Sequence, residues 1–412
     1  IKIPRSVASF GGNPFVSCAD LEVIDITENQ NFIFIDGVLM DKEITQIIYC
    51  SPSKRGDYSI PNTVTAICES AFSGCRYLSS VAIPDSVRKI GDRAFSDCSF
   101  MRSITIPGSV EVIGGNSFGG YFFLLKIKVE EETHFKVVDD VLFDKDMTRL
   151  IWCSKEKSGA YVIPKTVRAI DSTNFQKSDK LTSITIPDSI TKIADYAFDR
   201  CSELRTVTIQ GPITSVGINA FSYCYALTSI NIPDSVAFIG KGAFESCTAL
   251  RSFSIPHSVT SINEGVFANC SALRSVTIPD SVKFIGENAF ESCRSLESIT
   301  ISDSVLSVGD FAFFDCSALK SFTIPNSIVS IGKYAFAYCS VQSATIPESL
   351  AFVDKEAFHG CTKLMSVTIP RSDVSFGSGV FNDCPLLQTI YVPEGFECPP
   401  DVFPSGVKIE VQ

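Results

Sequence analysis

The 412 residues are 45% hydrophobic and 20% charged, with a formal net charge of −11. That balance is typical of a folded chain, and the acidic excess disfavours non-specific nucleic-acid binding, which needs clustered Lys and Arg. No run approaches the ~18–20 apolar residues of a membrane span; the longest candidate, 121–129, is short and contains Lys126 and Lys128.

The chain opens on Ile1-Lys2-Ile3-Pro4, a bare repeat strand, and reads as a trimmed or mature fragment. Proline then marks a period of 23 residues at Pro61, Pro84 and Pro107, at Pro164 and Pro187, at Pro233, Pro256 and Pro279, and from Pro325 to Pro393. Only the step from Pro325 to Pro347 is one residue short. A fixed period of this size means a solenoid in which each unit packs on its neighbours, so length alone does not require several domains.

The beat breaks twice, giving islands at 28–59 and 131–162. Their contents align at a constant offset of 103: Val38-Leu39 with Val141-Leu142, Asp41-Lys42 with Asp144-Lys145, and Cys50 with Cys153. The offset reads as a tandem duplication. Phe32 to Leu39 predicts a hairpin about Asp36-Gly37, with Thr45 to Cys50 as a third strand. Such islands are expected to project from one side of the array.

Within one coil, Leu181-Thr-Ser-Ile-Thr-Ile-Pro187 alternates apolar and hydroxyl residues, predicting a short strand with one buried face that proline ends. Asp188-Ser189 predicts a turn. Ile190, Ile193 and Phe198 are expected inside, with the Ala-Phe portion in a short helical turn. The strands of successive coils then form a parallel sheet at ~4.8 Å spacing.

One phenylalanine recurs per coil, at Phe15, Phe72, Phe95, Phe118, Phe175, Phe198 and on to Phe381, and predicts a continuous aromatic spine. Cysteine holds another slot, from Cys18, Cys75 and Cys98 to Cys361 and Cys384, with Tyr121 and Ser178 filling two places. A slot that accepts Ser reads as small and semi-buried, with free thiols packed as compact hydrophobes. Disulfides and metal are the alternatives, and metal lacks the CxxC pairs or nearby His it favours.

Outward strand positions form hydroxyl ladders, of which Thr185, Thr208, Thr277, Thr300 and Thr323 are candidate contact residues; Thr–Thr strand pairing is the plainer explanation. Arg102, Arg205, Arg251, Arg274 and Lys320 precede the strands and predict a basic edge. Asp85, Asp188, Asp234, Asp280 and Asp303 follow them and predict an acidic one. Trp152 and Tyr161, near the islands, are candidate exposed aromatics for a glycan. Tyr391, Phe396 and Phe403 and the strand Val407 to Val411 read as a cap over 393–412.

A catalytic site needs a local gathering of acids, bases or nucleophiles. His134, His257 and His359 stand more than 100 residues apart, and no phosphate loop or zinc spacing occurs. No enzyme and no cofactor are expected. The best carboxylate group is Asp139, Asp140, Asp144 and Asp146, echoed by Asp36, Asp41 and Glu43, but it lacks the full calcium-loop spacing, so no metal is assigned.

The cycle Cys-x-x-Leu-x-Ser-Val-x-Ile-Pro followed by Ser-Val-x-x-Ile-Gly-x-x-Ala-Phe, as in Cys270 to Phe290, closely resembles the BspA-like, or Treponema pallidum-type, leucine-rich repeat. The resemblance covers nearly the whole chain. It implies an α/β solenoid over 1–412: a right-handed curved leucine-rich-repeat array with one short parallel strand per coil and two β-hairpin islands. It also implies an extracellular or cell-surface monomer attaching to host proteins, matrix or other cells. A carbohydrate-binding module and a structural stalk presenting another domain are the alternatives.

Overall fold

A computed structural model describes residues 1–21, 23–120, 124–399 and 402–412. They fall into two compact units, 1–159 with 164–180, and 160–163 with 181–412. Tyr121, read above as a filler of the cysteine slot, lies outside the described residues. Each unit is a β-solenoid of leucine-rich-repeat type, and no helix occurs among the described residues. The α/β expectation is therefore corrected to all-β.

The Ala-Phe segment is not helical because its phenylalanine N–H leaves the coil. In the first unit Phe72 donates its N–H to Ala94 O at 2.8 Å, and Phe95 to Ser117 O at 2.9 Å. In the second, Phe290 donates to Ala312 O and Phe313 to Ala335 O, both at 2.8 Å. A helix would have to close these bonds four residues back. Left-handed residues on either side turn the donors outward along the stack: Asn288 (φ 54°) and Ser292 (φ 55°) flank Phe290.

The coils also hold a second strand where one was expected. In the first unit Ser103–Ile106 pairs in parallel with Lys126–Val129, and Gly56–Ser59 with Leu78–Ala82. Separately, the two-residue strands Ala66–Ile67, Lys89–Ile90 and Val112–Ile113 pair in register. In the second unit Ser261–Ile262, Phe284–Ile285, Ser307–Val308 and Ser330–Ile331 do the same. Coils approach so closely beside this short strand that a Cβ on Gly309 would stand 2.7 Å from Glu287 N.

The phenylalanine rings stack on one another along the coils of each unit. Phe72, Phe95 and Phe118 follow at 5.1 and 5.9 Å. From Phe198 to Phe381 successive centroids lie 5.1–5.8 Å apart, and Phe403 extends that run at 5.5 Å. Phe15 stays outside: its ring meets Tyr49 of the first island edge-on at 5.4 Å.

The first hairpin, Phe32–Ile35 with Val38–Asp41, turns through Asp36 (φ 50°) and Gly37 (φ 76°), the paired positive φ of a type I′ turn. The second, Phe135–Val138 with Val141–Asp144, turns at Asp139 (φ 52°) and Asp140 (φ 61°). Neither island merely projects. Gln46–Cys50 pairs in parallel with Ala66–Ile67, and Arg149–Cys153 with Ala169–Ile170, so each third strand heads a short-strand ladder. Val38, Leu39, Ile47 and Tyr49 are buried in the core. The offset of 103 recurs in detail: Lys54 pairs with Asp36, and Lys157 with Asp139.

Candidate recognition surface

The hydroxyl ladders lie on the outer face of the long strands. Thr185 is opposite Thr208, and Thr277 opposite Thr300. Thr208, Thr277, Thr300 and Thr323 are exposed and Thr185 is half-buried. Among the described residues their side-chain hydroxyls make no hydrogen bond, so each retains its capacity to bind a partner.

The sheet is not continuous through the second unit. Its inward mid-strand residue is aliphatic at Ile184, Val207, Ile230, Val276, Ile299, Ala344, Val367 and Ile390, but Phe at positions 253 and 322. At those two coils pairing shrinks to the isolated bridges Ser252–Ser275 and Ser298–Ser321. A ring in an aliphatic slot spreads the neighbouring strands. Phe253 lodges between Phe244 and Phe267 at 4.9 and 4.7 Å, and Phe322 stacks on Phe336 at 4.5 Å. Beside Phe322 a depression of about 310 Å³ opens, lined by Ser298, Thr300, Ser321 and Thr323. The sequence reading missed Phe322; its signal was an aromatic residue in a position otherwise aliphatic.

The edges are mixed. Successive coils place Arg205, Thr228, Arg251, Arg274, Glu297 and Lys320 along one rim, with Arg274 N–H bonded to Arg251 O at 3.1 Å. Thr228 and Glu297 interrupt the expected basic row, leaving Arg251 and Arg274 as adjacent cations. Both are exposed, as is Lys320, and none of the three has an ion-pair partner among the described residues. Arg205 meets Glu203 at 3.4 Å in an exposed pair. On the other rim His257 falls between Asp234 and Asp280.

Trp152 and Tyr161 are not surface anchors. They are 3% and 7% exposed, because Trp152 sits on the third strand of the second island, whose inward face joins the core. Four of the island carboxylates have partners: Asp36 and Asp139 pair with Lys54 and Lys157, and Asp41 and Asp144 cap turns. Asp144 accepts from Thr148 N at 2.7 Å, Arg149 N at 2.9 Å and Thr148 Oγ1 at 2.5 Å, and Asp41 does the same for Thr45 and Gln46. Among the described residues no group of three His, Cys, Asp or Glu is placed to hold a metal ion.

All sixteen cysteines are free. The ladder thiols are fully buried rather than semi-buried, except Cys18, which is exposed in the first coil. Where one coil follows another directly their Sγ atoms donate to the phenylalanine carbonyl of the coil before, as Cys247 to Phe221 O at 3.2 Å and Cys316 to Phe290 O at 3.3 Å, while Cys75 donates to Cys50 O of the first island at 3.5 Å. Burial pushes the Cys153, Cys270 and Cys339 thiols up to about 12.

Stacked coils, parallel strand ladders and an open hydroxyl face define a leucine-rich-repeat β-solenoid. Residues 42–155, 168–297 and 283–405 match the BspA type leucine rich repeat region (6 copies), and the chain belongs to that family. No curated protein sequence matches it. Among solved structures it is similar to a leucine-rich repeat protein from Bacteroides ovatus ATCC 8483, with 25% identity, 93% of this chain and 90% of that one covered, and a TM-score of 0.61. A leucine-rich repeat protein from Eubacterium ventriosum ATCC 27560, at 23% identity over 77% of this chain and 80% of that one with a TM-score of 0.51, shares the fold. No helix among the described residues is long and apolar enough to cross a membrane.

Proposed function

We propose that the protein is a non-enzymatic recognition scaffold of the cell surface or extracellular space, binding host or matrix proteins across several coils. The right-handed, curved course of the array is part of this reading and is carried by the family resemblance. The observation that carries the proposal is the open face of exposed hydroxyls without internal partners, bordered by Arg251 and Arg274. Repeat arrays of this kind bind through extended surfaces, each coil adding a small contact. Many groups that chemistry would recruit are engaged elsewhere: the ladder thiols from Cys75 onward in the core, and Asp41 and Asp144 in turns.

Deleting an island is a poor test, since it would remove the strand that heads a ladder. Surface substitution is cleaner. Immobilised extracellular-matrix proteins should capture the wild-type chain, and Arg251→Glu/Arg274→Glu or Thr208→Val/Thr277→Val should weaken capture without changing the melting temperature. A wild-type chain that no matrix or host-surface protein captures would sink the reading.

A further inference from the structure

We propose that the depression beside Phe322 is a binding site for a neutral sugar ring within an uncharged glycan. Phe253 and Phe322 both interrupt the sheet, but only one leaves a site. Phe253 is 6% exposed, closed between two rings. Phe322 is half-buried with a ring neighbour only at Phe336 among the described residues. The depression lies between the strand segments 298–301 and 321–323, where pairing is reduced to the single Ser298–Ser321 bridge.

The lining decides the ligand class. Ser298, Thr300, Ser321 and Thr323 present four hydroxyls that make no hydrogen bond among the described residues, and Ile299, Ile301 and Phe322 supply apolar surface. No charged side chain lines the depression. An ion would be desolvated there without a counter-charge, and a wholly apolar ligand would strip water from the hydroxyls and give no bond back. A pyranose answers both surfaces, placing C–H groups against the ring and hydroxyls against Ser and Thr. The volume, at the low end of ligand pockets, suits one or two sugar rings.

The test is saturation-transfer difference NMR on the full chain, with maltohexaose, cellohexaose and mannohexaose as probes. At least one should show transfer at a dissociation constant below about 10 mM. Phe322→Val installs the residue of Val276 and Val367, so the sheet can close; it should melt no lower than wild type and bind at least about tenfold more weakly. Thr300→Val/Thr323→Val should weaken binding while leaving the ring, and Phe253→Val should bind as wild type does. Silence from all three probes would overturn the site, as would a Phe322→Val chain that binds undiminished. So would binding abolished by Arg251→Glu/Arg274→Glu alone, which would move it to the rim. Sugar binding that survives loss of protein capture, or the converse, separates this site from the scaffold reading above.

Discussion

The Cys293 thiol donates to the carbonyl oxygen of Phe267, one coil earlier, at 3.2 Å. That bond gives a second donor to a carbonyl that already accepts from Cys270 N at 3.1 Å, and it ties one coil to the next where water is excluded. It also explains why a thiol, able both to pack and to donate, fills the slot. Iodoacetamide should therefore label Cys18 and Cys398, which are exposed, and leave Cys247, Cys270 and Cys293 unlabelled until urea is added. Peptide mass mapping checks this, and native labelling of Cys270 would contradict it.

The same burial sets an alkaline limit. Folded Cys270 and Cys339 titrate at about 12, against ~8.5 for an unfolded cysteine. Between these values the unfolded chain loses thiol protons and the folded chain keeps them. The thiol contribution is thus fully present below pH ~8.5 and is lost as pH rises toward the folded value, at ~1.4 kcal/mol per pH unit per thiol. Urea midpoints from pH 7.5 to 10.5 should fall, and less steeply in Cys270→Ala/Cys293→Ala/Cys316→Ala. An unchanged slope in that variant would rule the mechanism out.

Phe290 is fully buried between Phe267 and Phe313, at 5.3 and 5.2 Å. Phe290→Ala should cost ~3–5 kcal/mol. Phe238→Ala, at a ring 50% exposed on the short-strand face, should stay within ~0.5 kcal/mol. Chemical denaturation of the pair distinguishes core rings from surface rings.

Gly309 is required for approach between coils, not for backbone conformation. Gly309→Ala should cost ~1–3 kcal/mol, since backbone on the neighbouring coil must shift to admit the methyl group. Gly11 has nothing within 4 Å of a built Cβ, and Gly11→Ala serves as the neutral control in the same thermal melt.

Asp144 should matter as a turn cap and not as a calcium ligand. Asp144→Ala leaves the Thr148 and Arg149 N–H groups to water at an exposed turn and should cost ~0.5–1.5 kcal/mol. Millimolar calcium should leave the wild-type melting temperature unchanged; a rise that Asp144→Ala abolishes would reverse the assignment.

Much of the fold was legible because residues 23 apart carry matching side chains. The phenylalanine and cysteine slots, the hydroxyl ladders and the Asp36-Gly37 hairpin are each visible as local pattern. Other features were hidden for physical reasons. Lys89–Ile90 is too short to show a period of two, so the second ladder was missed. Ala289-Phe290 has helix-forming composition, yet the acceptor of the Phe290 N–H belongs to the next coil. Trp152 looked available because nothing local says which face of an island strand turns inward.

Alone, the order of residues settled that this chain winds coil upon coil, with aromatic rings and thiols in its interior, because a repeated register needs only neighbours of the same kind. The folded structure decided the rest: that no turn among the described residues becomes a helix, that the islands are stitched into the ladders, and that the hydroxyl sheet opens at Phe253 and Phe322. Those outcomes depend on which groups meet across coils, where a carbonyl one period away or a ring one size too large outweighs local preference.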